Sequence, residues 1–269
     1  MNIKYILIAG GSYAPPHKGH LNNWMRGINA YYKYIKKIDK KATLKNILLI
    51  VLPVSDHYKK SSVQDVTCNY RLNLLNILLS HIKKKYNIKV EIFSKKKQLS
   101  TAEEIRAVEK KYKIRPALLF GADNMVNILE GTWWSKKQES KRIQFLKNNI
   151  FVISCSKKST DKRGYCKYIK KKFDAELKKL NITSTLILYQ ISSDESGISS
   201  TKIRNNIKKY RQLKDISYLI PFLFKDEINY IMKHDLWNTD TKPKCGTRKR
   251  IKRRRKRRTR RRTRRRKRR

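Results

Sequence analysis

The chain has 269 residues, of which 39% are hydrophobic and 33% charged, and its formal net charge at pH 7 is +48. This length allows one sizeable core or a domain with appendages, and no apolar run predicts a membrane span or a signal peptide. The four cysteines show neither a C-x-x-C pair nor zinc-ligand spacing, so we expect a reduced intracellular protein, nuclear or cytoplasmic, with ordinary core or surface cysteines.

Strands and helices alternate along most of the sequence. The predicted strands are Ile3–Ala9, Ile47–Leu52, Ile88–Phe93, Ala117–Phe120, Ile150–Ser154 and Thr185–Ile191. Helical patterns lie at Leu21–Ile35, Tyr70–Lys84, Thr101–Tyr112, Asn124–Leu129, Glu139–Lys147, Lys167–Leu180, Thr201–Lys209 and within Pro221–His234. This alternation predicts an α/β fold, a Rossmann-like doubly wound parallel sheet with helices on both faces. Ligands bind such sheets at the carboxyl ends of the strands.

The first predicted strand leads into a turn that ends in two histidines. The turn reads Gly10-Gly11-Ser12-Tyr13-Ala14-Pro15-Pro16-His17-Lys18-Gly19-His20. A helix N-terminus attracts phosphate, and His17 and His20 offer two imidazoles to the charge on a transferring phosphoryl group. The alternative is a glycine-rich turn with two surface histidines, which the preceding buried strand makes the weaker interpretation. The H-x-G-H spacing resembles the signature of the nucleotidyltransferase superfamily, shared in variant form with class I aminoacyl-tRNA synthetases.

A second phosphate-binding pattern follows the last predicted strand. Hydroxyls at residues 199–201 can cap a helix, and Lys202 and Arg204 fall within its first turn. A helix N-terminus with hydroxyls and a forked guanidinium is suited to clamp phosphate. An ordinary helix cap is the alternative, and the histidine motif upstream makes the phosphate clamp the more specific interpretation.

Together with further motifs in the same order, these patterns resemble the nicotinamide/nicotinate mononucleotide adenylyltransferases, especially their eukaryotic-type branch. The motifs are Pro53–Lys60 (P-V-S-D-H-Y-K-K), Gly121-Ala122-Asp123, Trp133-Trp134, Ile198–Arg204 (I-S-S-T-K-I-R), Tyr218–Pro221, Tyr230-Ile231 and His234–Trp237. The resemblance covers roughly residues 3–237, and several motifs in order are far more specific than any one of them.

The resemblance implies that the 5′-phosphate of a pyridine mononucleotide attacks the α-phosphate of ATP, giving NAD or its deamido precursor and pyrophosphate. No side chain need act as a nucleophile, because catalysis is positioning and charge neutralisation. The resemblance also implies Mg²⁺ that enters with ATP, held by phosphates and water, and a homo-oligomer. The alternatives are transfer of an adenylyl or cytidylyl group to another phosphorylated acceptor, or a catalytically weak core that binds nucleic acid through its tail.

Phosphate contacts are implied for one set of residues. They are His17, His20, Lys60, Ser200, Thr201 and Arg204. Among them His20 is the stronger candidate for stabilising the transition state, and Lys60 would reach phosphate as a point charge. Chance placement competes for Lys60, because lysine is abundant throughout the chain.

A second set of residues is implied to hold the nucleoside parts and the acceptor. It comprises the backbone of Gly11, Ser12 and Tyr13, then Tyr58, Gly121, Asp123, Trp133 and Trp134. Asp123 suits ribose hydroxyls and can also cap the following helix. Trp134, with Trp133 and Tyr58, would pack by the pyridine ring, although two adjacent tryptophans on a helix cannot face one pocket. At least one is therefore structural.

The choice between amidated and acid mononucleotide stays open. The region Ser94–Thr101 has no aromatic residue where the family often has one near the pyridine base. After the fifth strand, Ser154-Cys155-Ser156 replaces the arginine that commonly helps to select substrate. The combination of His17 and Gly19 is bacterial-like in a chain that otherwise resembles the eukaryotic branch.

The C-terminal segment is strongly basic. Residues 242–269 contain 21 Lys and Arg and no acidic residue, although more than half of the net charge lies outside them. Like charges this dense predict a disordered tail over 240–269 that follows a folded domain over 1–239. The segment 247–269 fits a nuclear localisation signal, a tether to nucleic acid or a counterion for anionic surfaces. Without aromatic residues, its binding to nucleic acid would be sequence-blind.

Overall fold

A parallel sheet organises the protein, whose computed structural model describes residues 3–56, 66–94, 100–155, 165–191 and 198–238. Its six strands are β1 (Tyr5–Gly11), β2 (Ile47–Pro53), β3 (Lys89–Ile92), β4 (Ala117–Gly121), β5 (Ile150–Cys155) and β6 (Thr185–Gln190). They lie in the order β3-β2-β1-β4-β5-β6, with every neighbouring pair parallel. The predicted α/β Rossmann-like fold is confirmed. The order reverses between β1 and β4, where such sheets bind ligands.

Helices connect the strands and cover both faces of the sheet. They are α1 (Lys18–Ile38), α2 (Cys68–Tyr86), α3 (Thr101–Tyr112), α4 (Ala122–Leu129), α5 (Glu139–Leu146), α6 (Cys166–Leu180), α7 (Ser200–Leu213) and α8 (Lys225–Lys233). Helix α1 begins three residues before its predicted start at Leu21, so His20 lies in its first turn. In the part of the chain that the structure describes, none of the helices is long and apolar enough to cross a membrane.

The central strands are buried on both faces, which explains why their sequences are apolar without alternation. All seven residues of β2 are buried. Alternate residues of the sheet point into two core clusters, one against α1 and α2 and the other against α3 to α6. Each Leu or Ile side chain buried in this way stabilises the fold by about 1.5–3 kcal/mol.

A third apolar cluster attaches the C-terminal helices to the carboxyl edge of the sheet. Its buried members from α7, α8 and the residues after them include Ile203, Ile231 and Trp237. They pack with Ala14, from the loop after β1, and with Leu74 of α2. The residues 198–238 therefore contribute directly to the surroundings of the histidine motif.

One cysteine pair corrects the sequence-based expectation that all four cysteines are reduced, ordinary residues. Cys155, the last residue of β5, and Cys166, the first residue of α6, form a disulfide bond. The two cysteines are 11 residues apart in sequence, and the bond joins the two ends of the β5–α6 connection. It closes this connection at the carboxyl edge of the sheet, one residue after Ser154.

Reduction of this disulfide should lower the free energy of unfolding. Closing a loop of 11 residues removes conformational entropy from the unfolded chain, and the stabilisation expected for a loop of this length is about 3 kcal/mol. Unfolding in denaturant with and without a reductant measures the difference. The double variant Cys155→Ser/Cys166→Ser is the control and should not respond to the reductant. An equal response in that variant would assign the effect to another cysteine.

Candidate active site

The loop between β1 and α1 lies at the point where the strand order reverses. Its Tyr13 has a φ of 46°, its ring is buried, and its hydroxyl donates a 3.0 Å hydrogen bond to the carbonyl oxygen of Ala9. A β-carbon at Gly11 would lie 2.8 Å from Cζ of this ring, so a close approach requires glycine there. The tyrosine side chain is thus part of the loop's scaffold, and only its backbone can face a ligand.

The two histidines lie together at the start of α1. His17 is the N-cap residue and is 4% exposed, and its ring centroid is 3.7 Å from that of His20. The ring of Tyr13 contacts His20 edge-on at 5.0 Å, and Trp24 lies 6.1 Å from it. The alternative of two surface histidines is therefore wrong. In the described residues, the buried Nδ1 atoms of both histidines have no hydrogen-bond partner.

Burial sets the charge of this pair. It lowers the pKa of His17 from 6.5 to about 4. Burial and the neighbouring His17 together lower the pKa of His20 well below its usual value. Both rings are accordingly neutral at pH 7 in the absence of a ligand. An anion bound beside them would favour the protonated forms.

Protein stability should fall as the pH falls from about 6.5 to 4. His17 of the folded protein resists protonation until about pH 4, whereas in the unfolded chain it gains a proton near pH 6.5. Protons therefore bind preferentially to the unfolded state in this window, which costs about 2 kcal/mol between pH 8 and pH 5. Denaturant unfolding of the wild type and of His17→Gln at both pH values measures this contribution. The same pH dependence in both proteins would contradict it.

The start of α7 contacts the histidine loop directly. Ser199 caps the helix by accepting a hydrogen bond from the backbone N–H of Lys202 at 3.2 Å. Ser200 Oγ donates to the carbonyl oxygen of Pro15 at 3.0 Å, and Arg204 Nη1 donates to that of Ala14 at 2.7 Å. The two predicted phosphate-binding patterns, distant in the sequence, are thus in direct contact.

The guanidinium of Arg204 also organises the first turn of α7. Its Nη2 donates to Thr201 Oγ1 at 3.0 Å. Thr201 is exposed and Ser200 is half-buried, so the hydroxyls and the guanidinium lie together at a helix N-terminus. This arrangement suits a polyphosphate, because the backbone N–H groups and the cation attract the same anion.

Lys18, which lies between His17 and His20 in the sequence, makes contacts that the sequence did not predict. Its backbone N–H donates to the carbonyl oxygen of Phe222 at 2.9 Å and its Nζ to that of Ile220 at 2.6 Å. The ammonium also lies 5.0 Å from the ring centroid of Phe224. Lys18 thereby fastens the segment before α8 to the start of α1. Only a contact between residues 202 positions apart reveals this role.

The carboxyl ends of β4 and β5 form the other side of the site. Gly121 is the N-cap residue of α4 and pairs with Ser154 in the sheet register. Asp123 is exposed in the first turn of α4, and its Oδ1 would lie 2.7 Å from a β-carbon at Gly121. The carboxylate thus lies over Gly121, where it can accept hydrogen bonds from ligand hydroxyls.

The two tryptophans have different surroundings. Trp134 is half-buried and packs against a core cluster, with its ring centroid 5.6 Å from that of Phe145 of α5. Trp133 is 42% exposed and lies edge-on to Phe120, at the end of β4, with a centroid distance of 6.3 Å. Of the two rings, that of Trp134, which the sequence favoured for the ligand, is the more enclosed. Trp133 keeps an accessible ring near the carboxyl edge.

Two predicted site residues, Tyr58 and Lys60, lie in 57–65, outside the described residues. A buried arginine on α2, Arg71, was not identified from the sequence, although it interrupts the apolar pattern of that helix. The described residues contain no group of three or more His, Cys, Asp or Glu side chains arranged to hold a metal ion.

Comparisons with known proteins give a distant relative. No family model matches the sequence. The chain is 24% identical, over 237 residues, to a probable nicotinate-nucleotide adenylyltransferase of Thermoanaerobacter sp. (strain X514), covering 87% of this chain and 94% of that protein. It also resembles a crystal structure of Thermotoga maritima TmcAL bound with alpha-thio ATP, with a TM-score of 0.34 and 11% identity. That match covers 87% of this chain but 56% of the other, and it is too weak to support an inference.

Proposed function

We propose that this protein transfers the adenylyl group of ATP to nicotinate or nicotinamide mononucleotide. The proposal depends mainly on the contact between the two motifs. The loop that bears His17 and His20 is hydrogen-bonded to the start of α7 through Ser200 and Arg204. The distant bacterial relative, a probable nicotinate-nucleotide adenylyltransferase, supports adenylyl transfer in general. The choice of a pyridine mononucleotide rests on the order of the sequence motifs.

The reaction would use the carboxyl edge of the sheet to neutralise phosphate charge. An oxygen of the acceptor's 5′-phosphate forms a bond to the α-phosphorus of ATP, and the bond to the bridging oxygen of the β-phosphate breaks, releasing pyrophosphate. His17 and His20 would donate hydrogen bonds to the α-phosphate as negative charge shifts toward the leaving group. Arg204, with the first turn of α7, would hold the β- and γ-phosphates. Mg²⁺ carried by ATP would supply further charge neutralisation.

The nucleoside and the acceptor would bind on either side of the phosphates. The exposed carboxylate of Asp123 beside Gly121 suits the ribose hydroxyls of ATP. The accessible ring of Trp133 is the better candidate for stacking on the pyridine, because Trp134 is half-buried and packs against a core cluster.

The decisive experiment is an assay of product formation with purified full-length protein. ATP and Mg²⁺ are supplied with nicotinate mononucleotide, nicotinamide mononucleotide, phosphopantetheine or choline phosphate, and the products are separated by chromatography. We expect deamido-NAD or NAD together with an equal amount of pyrophosphate. Turnover of a rival acceptor alone would refute the pyridine assignment but retain nucleotidyl transfer. Absence of transfer to all four acceptors at high protein concentration would refute both.

We also propose that the basic tail binds polyanions without sequence preference, because 21 of the residues in 242–269 are cationic. Deleting Lys242–Arg269 should remove most binding to DNA or RNA near physiological salt and leave turnover nearly unchanged. Binding by the full chain should fall steeply with added salt, since each neutralised phosphate releases counterions. Fluorescence anisotropy with two unrelated oligonucleotides measures this. If the truncated and full-length proteins bind the oligonucleotides with equal affinity, the binding site lies outside residues 242–269.

A further inference from the structure

Arg71 is buried without a comparably buried acidic partner. It lies in the first turn of α2 and is 0% exposed. Its Nη2 is 3.1 Å from Oδ1 of Asp56, whose side chain is 47% exposed. Among the described residues, its Nε has no hydrogen-bond partner. Burying a guanidinium costs free energy unless ion pairs and hydrogen bonds compensate for it, so its remaining contacts are informative.

Those contacts join the loops that follow β1 and β2. Arg71 Nη1 donates to the carbonyl oxygen of Ser12 at 2.9 Å, and Nη2 donates to that of Val54 at 2.8 Å. The backbone N–H of Val54 also donates to the carbonyl oxygen of Gly11 at 3.1 Å. One rigid, planar group therefore fixes the relative position of the two loops.

The contact with Ser12 also orients a peptide group of the site. In a trans peptide the C=O and N–H bonds point in opposite directions, and the Ser12–Tyr13 bond is not among the cis bonds of the described residues. Because the Ser12 carbonyl points to the buried guanidinium, the N–H of Tyr13 points away from it. No backbone oxygen of the described residues accepts a hydrogen bond from this N–H.

The same loop is held separately at its other end. Arg204 and Ser200 bind the carbonyl oxygens of Ala14 and Pro15, next to the histidines. Arg71 holds the end nearest to β1 and has no contact with α7 among its hydrogen bonds. The two arginines are thus suited to control different halves of the loop.

We propose that Arg71 is a positioning residue for the phosphorylated acceptor, which it serves by directing the N–H of Tyr13 toward that substrate. The inference rests on the proposed function for the identity of the acceptor. Loss of Arg71 should therefore weaken binding of the acceptor. Binding of ATP, whose phosphates would be held by the start of α7, should change little.

The test compares Arg71→Lys and Arg71→Ala with the wild type in full-length protein. Lysine keeps the charge but cannot bridge the two carbonyl groups in one plane. Losing hydrogen bonds from a buried charged group should raise the KM for the mononucleotide roughly 10- to 100-fold. The KM for ATP should change by less than about threefold. Low millimolar guanidinium should partly restore the mononucleotide KM of Arg71→Ala, because it fills the vacated space.

Arg142→Lys is the matched control. Arg142 is another buried arginine, and it bonds to Glu139, Glu176 and the carbonyl oxygen of Leu129, away from the histidine loop. This control should lose stability without a change in either KM. Equal changes in both KM values for Arg71→Lys, or no change in either, would overturn the positioning role. If Arg71→Ala does not fold, Arg71→Lys alone decides.

Failure of the proposed function can be distinguished from failure of the role of Arg71, because only the former leaves the wild type without dinucleotide product. The comparison of KM values is then made with whichever phosphorylated acceptor the wild type uses. A wild type that transfers to none of the acceptors overturns the role of Arg71 together with the proposed function. A wild type that forms dinucleotide, with Arg71 variants that match it, overturns the role of Arg71 alone.

Discussion

Replacement of His20 by alanine is expected to lower kcat by roughly 10²- to 10³-fold, the loss typical of removing one donor to developing negative charge. The KM for ATP should change much less, because the interaction strengthens only as charge shifts in the transition state. His20 lies in the first turn of α1, with its ring centroid 3.7 Å from that of His17, and a helix N-terminus favours a bound anion. Steady-state kinetics over a range of ATP concentrations provide the measurement.

His234→Ala is the matched control for His20→Ala. The ring of His234 packs against Tyr230 at a centroid distance of 4.4 Å, in the C-terminal part of the fold. Its removal should leave kcat close to that of the wild type. A rise in KM without a fall in kcat for His20→Ala would show that His20 contributes to ground-state binding only. An unchanged protein would exclude it from the site.

Replacement of Arg204 by alanine is expected to lower kcat/KM for ATP by roughly 100-fold, with contributions from both affinity and rate. The guanidinium would contact the polyphosphate from the ground state onward, and hydrogen bonds to charged groups are worth about 1.5–3 kcal/mol. The loss of its bond to the Ala14 carbonyl would also loosen the histidine loop. Arg204→Lys should recover little of the lost kcat/KM, since a single ammonium group cannot bind the Ala14 carbonyl oxygen and a phosphate at the same time.

Arg211→Ala separates this role from helix stability. Arg211 lies on the same helix as Arg204 and forms an ion pair with Asp235 and a hydrogen bond to the carbonyl oxygen of Leu236. Its loss should destabilise the C-terminal part of the fold with little effect on the KM for ATP. Wild-type kinetics for Arg204→Ala would identify the start of α7 as a helix cap with no role in binding.

The fold was largely predictable because its signals are local. The apolar runs of β1 and β2 report burial on both faces of a sheet, and hydroxyls such as Ser199 mark helix starts. The contact between the two predicted phosphate-binding patterns was also predictable, since both follow strands and the carboxyl ends of parallel strands share one edge.

Features that depend on tertiary packing were not predictable. The roles of Lys18 and Arg71 are set by backbone carbonyl groups 202 and 59 residues away, and such partners leave no pattern in a lysine-rich sequence. The greater enclosure of Trp134 compared with Trp133 depends on the position of Phe145. The bond between Cys155 and Cys166 requires the end of β5 and the start of α6 to lie side by side.

The attachment of residues 198–238 to the histidine loop has a consequence for how the protein folds. The hydrogen bonds of Ser200, Arg204 and Lys18 that form this attachment span sequence separations of 185, 190 and 202 residues, respectively. Contacts of such sequence separation form late in folding, because the entropy of closing long loops opposes them. A chain in which only the sheet has formed therefore lacks the site. Local opening of the C-terminal helices removes it again while the sheet persists, and a ligand that bridges both parts opposes this opening.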